Sequence, residues 1–122
     1  MNADRTDCNG APLISIVAPA YNEESSLAQF VRRVDAVMRG SGLDHEIVFI
    51  NDGSTDATLS VMQSLRAANP DMTIVNLSRN FGKETAMTAG TAHAIGNAIV
   101  IIDTDLQDPP ELIPQMIAGW RA

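Results

Sequence analysis

Ile99-Val100-Ile101-Ile102-Asp103-Thr104-Asp105-Leu106-Gln107-Asp108-Pro109-Pro110-Glu111 decides the fold, because an apolar, β-branched run stops abruptly at carboxylates two residues apart. The run from Ala98 to Ile102 predicts an interior parallel strand. Carboxylates at i and i+2 just beyond a strand can reach one divalent cation. Mg²⁺ and Mn²⁺ prefer oxygen ligands and usually combine one or two carboxylates with substrate phosphates. An acidic strand end that binds nothing accounts for Asp103 and Asp105 equally well on the pattern alone. Asp108-Pro109-Pro110-Glu111 needs no catalytic role: an Asp cap, a Pro at the first helical position and a Glu three residues after the cap start a helix.

Working outward, the chain alternates strand and helix. Leu13 to Ala18 reads as the first strand. Ser26 to Met38 carries Leu27, Phe30, Val31, Val34, Val37 and Met38 at helical spacing and is closed by Gly40 and Gly42. Ile47 to Ile50 is a second strand, Asp56 to Ala68 a second helix stopped before Pro70, and Thr73 to Leu77 a third strand. A third helix from Lys83 to Ile95 ends at Gly96-Asn97 and feeds the fourth strand, and a last helix runs from Pro109 to Trp120. Such βαβα alternation predicts a three-layer α/β/α domain with a mainly parallel sheet and right-handed crossovers. A strand order 3-2-1-4 would put the switch point between strands one and four. The loops Tyr21-Asn22-Glu23-Glu24, Asn51-Asp52-Gly53-Ser54-Thr55-Asp56 and Asp103-Thr104-Asp105 would then border one crevice at the carboxyl ends of the strands.

Composition bounds the function. The 122 residues suffice for one domain, residues 13–122, behind a polar tail over residues 1–12 that reads as disordered. A net charge of -7 argues against nucleic acid, whose phosphates are held by lysine and arginine. Cys8 is alone, so no disulfide framework exists and a reducing, cytoplasmic setting is expected. No apolar stretch approaches the roughly 20 residues of a membrane helix. No GxxxxGK[ST] or GxGxxG follows a predicted strand, which counts against a kinase or an NAD-linked enzyme. His45 and His93 are isolated and read as surface or packing residues.

Pro19-Ala20-Tyr21-Asn22-Glu23-Glu24, Asn51-Asp52-Gly53-Ser54-Thr55-Asp56, Arg79-Asn80-Phe81-Gly82-Lys83-Glu84 and Asp103 to Glu111 together resemble the ordered motifs of family 2 glycosyltransferases. The likeness is greatest to the bacterial branch that glycosylates polyprenyl phosphate, relatives of dolichyl-phosphate mannose synthase, and covers about Ile14 to Trp120. It implies the nucleotide-binding half of a GT-A, Rossmann-like domain acting at the cell envelope. By resemblance, Pro19 and Tyr21 shape the base pocket, Glu23 hydrogen-bonds the ribose, and Asp52 accepts from the base imide N–H. Favourable charge at a helix start competes for Glu23, and an Asx-type turn competes for Asp52. Asp56 reads as a helix cap. Asp103 and Asp105 form the DxD pair, Asp105 on the metal directly and Asp103 on ribose or metal, with Mg²⁺ or Mn²⁺ bridging the donor diphosphate. Gln107 orients those ligands or the donor phosphate. Lys83 lies near the active site, although a solvated charge at a helix start explains it as well.

The implied reaction is inverting transfer from a nucleotide sugar, UDP-sugar preferred over GDP-mannose, to a polyprenyl phosphate at the cytoplasmic face of the membrane. Asn51 stands where the family often has Asp, and Thr104 where Ala is usual, so Thr104 is expected to point away from the metal. The family's catalytic domain continues beyond the equivalent of Ala122. The resemblance therefore predicts a domain truncated at its C-terminus, a donor half with little transfer activity alone. Two rivals remain: a non-catalytic or incomplete nucleotide-binding fragment, for which an exposed sheet edge and self-association would speak, and a phosphohydrolase with Asp103 as nucleophile and Asp105 as acid. The latter arrangement normally follows a first strand, not a fourth.

Overall fold

The computed structural model describes residues 13–105 and 109–121, the last two by backbone alone. The tail over residues 1–12 with Cys8, the site candidate Gln107 and the cap candidate Asp108 lie outside the described residues. Four strands, β1 (Leu13–Ala20), β2 (Asp44–Asn51), β3 (Met72–Asn76) and β4 (Ala98–Ile101), alternate with α1 (Leu27–Ser41), α2 (Thr58–Ala68) and α3 (Lys83–His93). A single 3₁₀ turn, Pro110–Leu112, leads into α4 (Ile113–Arg121). The sheet order is β3-β2-β1-β4, every pairing parallel, with Ile16 beside Ile47 on one side and Val100 on the other. This is the inferred order, and it opens the switch point between β1 and β4.

Alternation along the strands sorts the core into two faces. Ile14, Ile16 and Ala18 of β1 join Ile47 and Phe49 of β2 and Val100 under α1, α2 and α4. α1 contributes Leu27, Phe30, Val31, Val34 and Met38, an apolar stripe at three- and four-residue spacing. Its Phe30 ring meets Phe49 at a centroid distance of 6.0 Å. α1 stops where Gly42 takes φ 72°, a left-handed cap. On the other face Val17, Val48 and Ile50 lie under α3 through Ala86. That helix comes close because it presents Gly90, where a Cβ would stand 2.4 Å from Ile50 Cδ1 and 2.7 Å from Val17 Cγ1.

Several boundaries differ from the sequence expectations. β4 was expected to be interior; among the described residues it pairs only with β1 and forms the sheet edge. Ile99 and Ile101, 41% and 42% exposed, share a face with Ser15 and Val17, but α3 reaches over β1 and β2 and leaves that face of β4 open, while α4 packs on the other. α3 ends at His93, before Gly96-Asn97. The physical reason is a buried polar network: Glu46 Oε2 accepts the Ser15 hydroxyl at 2.6 Å and the Ile95 amide at 2.8 Å, while Ser15 Oγ accepts the Gly96 amide at 2.8 Å. Those amides are turned into the sheet and cannot continue the helix. α2 begins at Thr58 with Ala57 in the N-cap position, and Asp56, expected to be the cap, lies one residue further out with its Oδ1 accepting the Thr58 amide at 2.9 Å. The isolated histidines have local partners, His45 with Asp35 at 3.2 Å and His93 with the Ala89 carbonyl at 2.9 Å.

Candidate functional site

The carboxyl ends of β1, β2 and β4 open into a cavity of about 220 Å³ lined by Pro19, Ala20, Tyr21, Glu23, Asp52, Lys83, Asp103, Thr104 and Asp105. Seven of these, Pro19, Tyr21, Glu23, Asp52, Lys83, Asp103 and Asp105, are the site candidates of the sequence, brought together from four separate segments. Ala20 and Thr104 were not among them; as the last residue of β1 and the middle residue of the DxD, both follow from the topology once it is known.

The loops are laced together by their own polar groups. Asn22, at φ 55°, accepts the Thr55 amide at 2.8 Å through Oδ1, and its own N–H donates to Ser54 Oγ at 2.9 Å. The Glu23 amide donates to Thr58 Oγ1 at 2.9 Å. These bonds fix the first loop on the second and hold Tyr21 at the rim, 44% exposed. The turn after β2 is made by Asn51, whose Oδ1 accepts the Ser54 amide at 3.2 Å and whose amide donates to Asn76 Oδ1 at 2.8 Å. The Asx-turn role considered for Asp52 therefore falls to its neighbour. The Asp52 carboxylate, only 4% exposed, instead accepts the amides of Phe81 at 2.9 Å and Gly82 at 3.2 Å.

Thr104 is buried, its hydroxyl turned to the Pro19 carbonyl at 3.4 Å, so the flanking Asp103 and Asp105 are left lining the cavity. Lys83 Nζ lies 2.9 Å from Asp103 Oδ2. Arg79, four residues before Lys83, stacks its guanidinium 4.7 Å from the Phe81 ring centroid. Glu23 is held above the usual carboxylate range, first by burial, opposed by a hydrogen bond from Ser26, and then by the charges of Asp105, Asp103 and Asp56. Among the described lining residues the crevice thus sets three further carboxylates, Glu23, Asp52 and Asp105, beside the Lys83–Asp103 pair.

This donor set suits a hard dication. Among the described residues no group of three His, Cys, Asp or Glu could hold a metal by itself. Asp103 and Asp105 would supply carboxylate oxygens, leaving the remaining coordination to water or substrate phosphate, as is usual for Mg²⁺. Such a cation would also offset the charges of Asp105 and Asp103 that add to burial in raising Glu23.

Residues 15–122 match the family model described as glycosyl transferase family 2. The chain is 48% identical over 108 residues to an uncharacterized glycosyltransferase of Synechocystis sp., covering 88% of this chain and 34% of that protein. It is 47% identical over 109 residues to a prophage bactoprenol glucosyl transferase homolog of Escherichia coli, covering 89% and 36%. Among solved structures, it resembles a mannosyltransferase from Pyrobaculum calidifontis in complex with GDP-Man and Mn²⁺, with a TM-score of 0.75 and 25% identity over 92% of this chain and 33% of that one. The chain spans about a third of the length of the curated relatives it matches.

Proposed function

This chain belongs to glycosyl transferase family 2, and we propose that it forms the donor-binding part of an enzyme transferring a sugar from a nucleotide sugar to a polyprenyl phosphate. The observation that carries the reading is the convergence of Pro19, Tyr21, Glu23, Asp52, Lys83, Asp103 and Asp105 on one cavity at the switch point. Pro19 and Tyr21 hold the base, with Asp52 at its imide edge, Glu23 the ribose, and Lys83 the diphosphate. Asp105 and Asp103 hold Mg²⁺ or Mn²⁺, consistent with the GDP-Man and Mn²⁺ complex of the archaeal mannosyltransferase. The bound cation would neutralise charge on the departing nucleoside diphosphate. Gln107, two residues on, orients these groups.

The bactoprenol glucosyl transferase name of the relative supports a lipid-phosphate acceptor. Such an oxygen is already ionised and attacks the anomeric carbon in line, with inversion and little general-base help. A polyprenyl acceptor places the reaction at the cytoplasmic face of a membrane. No helix among the described residues is long and apolar enough to cross one. The donor is a UDP-sugar in preference to GDP-mannose, and the uncharged edge of β4 gives the chain a route to self-association. Asp103 follows the fourth strand, not the first, which weighs against a phosphoryl-accepting nucleophile.

Calorimetric titration of UDP and GDP, with Mn²⁺ and with EDTA, tests the reading alongside Asp105→Asn. Metal-dependent binding that weakens at least tenfold in the variant is expected, and the tighter nucleotide identifies the base. Absence of binding to the folded chain would refute a donor site in this part of the enzyme.

A further inference from the structure

Asp52 does something the base pocket does not require. Its backbone is anchored on the sheet, its N–H donating to the Ala20 carbonyl at 3.0 Å. Its two carboxylate oxygens reach about thirty residues along the chain and take the amides of Phe81 and Gly82, one each. Gly53 completes the grip: at φ +70° it lies so close to the next loop that a Cβ would stand 2.2 Å from both Arg79 C and Asn80 N. The clamped peptide leads straight into α3, whose first turn closes with the Ala86 amide on the Gly82 carbonyl at 3.0 Å. The first residue of that helix is Lys83, and its ammonium reaches Asp103.

We infer that Asp52 is a positioning residue for Lys83: it fixes the peptide before α3 and thereby the ammonium that faces Asp103. The inference rests on the donor-site reading for its consequence, which is that the nucleoside end and the cation end of the crevice act as one unit. A carboxylate oxygen has two lone pairs, so accepting two amides leaves room for a base imide at the same group. Base contact and positioning are therefore compatible, and they differ in one measurable respect. A base contact is independent of Lys83, whereas positioning acts through it.

A thermodynamic cycle separates them. UDP affinity in the presence of Mn²⁺ is measured for the wild type, Asp52→Asn, Lys83→Met and the double variant. Asn keeps the shape but turns an amide group toward one of the two backbone N–H donors. Loosening the peptide before α3 leaves Lys83 correctly placed in only a fraction of the molecules, and UDP affinity is expected to fall about tenfold in the wild-type background. In the Lys83→Met background the same change is expected to cost at least threefold less, the remainder being the base contact itself. An equal loss in both backgrounds overturns the inference.

A second arm needs no nucleotide and decides the matter even where neither UDP nor GDP binds the wild type, a result that would refute the donor site alone. In amide hydrogen exchange, Phe81 and Gly82 of the wild type are expected to be as protected as α3 itself. Asp52→Asn is expected to accelerate both, together with the first turn of α3, at least tenfold. Unprotected amides in the wild type, or acceleration confined to Phe81 and Gly82, overturn the inference. The wild-type half of this arm stands even if the variant does not fold.

Discussion

Lys83→Met keeps the length of the side chain and removes its charge, and the crevice geometry gives the change opposite effects on two ligands. Lys83 Nζ is 2.9 Å from Asp103 Oδ2. A Mg²⁺ or Mn²⁺ ion on the same carboxylate would sit about 2.1 Å from its oxygen, so ammonium and dication would be separated by roughly 5–7 Å. The Lys83 side chain is 59% exposed, which makes a water-like dielectric the right choice. At about 6 Å the repulsion between one and two charges is then roughly 1.4 kcal/mol, a factor of about ten in affinity. Mn²⁺ alone, followed by the loss of its free-ion electron resonance signal, is expected to bind the variant about tenfold more tightly. UDP in the presence of saturating Mn²⁺ is expected to bind at least tenfold more weakly, because a charge-assisted bond to the diphosphate is lost. If both affinities move in the same direction, or neither moves, Lys83 is not exchanging Asp103 for a donor phosphate and the assignment is refuted.

Away from the site, Ser15→Ala removes the hydroxyl that joins Glu46 to the Gly96 amide inside the fold. The loss of a charged hydrogen bond and the stranded N–H should cost about 2–4 kcal/mol, a urea midpoint lower by about 2 M, with UDP affinity unchanged. Glu23 has its carboxyl raised above 4.5 in the fold, so folding favours its protonated form. Its stabilising share is complete below that value and lost as pH rises through the folded pKa. Thermal melts should accordingly place Glu23→Gln above the wild type at pH 7 and level with it at pH 4; a wild type that is the more stable at pH 7 would contradict the electrostatics. Ile101→Lys puts a charge on the open face of the edge strand and is expected to abolish any concentration-dependent sedimentation of the wild type, with the melting temperature changed little.

The strands and the residues at the mouth of the crevice were legible because that information is local, whereas the strand order was inferred from the alternation of elements. Apolar β-branched runs mark the strands, and polar punctuation after strands one, two and four marks the end at which a ligand enters. The position of β4 was not legible. An apolar run records that side chains avoid water, and Ile99 and Ile101 are apolar whether or not anything covers them. The end of α3 was misplaced for a different reason: Gly96-Asn97 is a sound local stop, but Glu46, about fifty residues earlier, captures the Ile95 amide first. Asp52 illustrates the same limit at the site. Its acidity and its place after β2 are visible in the sequence, while its hold on Phe81 and Gly82 exists only once two strands have paired.

The place of β1 has a consequence for synthesis on the ribosome. Of the described strands it is made first, yet it lies inside the sheet, and its register sets Ile14 against Ala98, 84 residues later. At about 5–20 residues per second, β1 waits roughly 4–17 s for its last neighbour to emerge. During that interval the growing chain can complete only one side of its central strand. The opposite edge, with Ile14, Ile16 and Val17 behind it, is the surface a nascent chain of this fold must keep shielded until translation reaches β4.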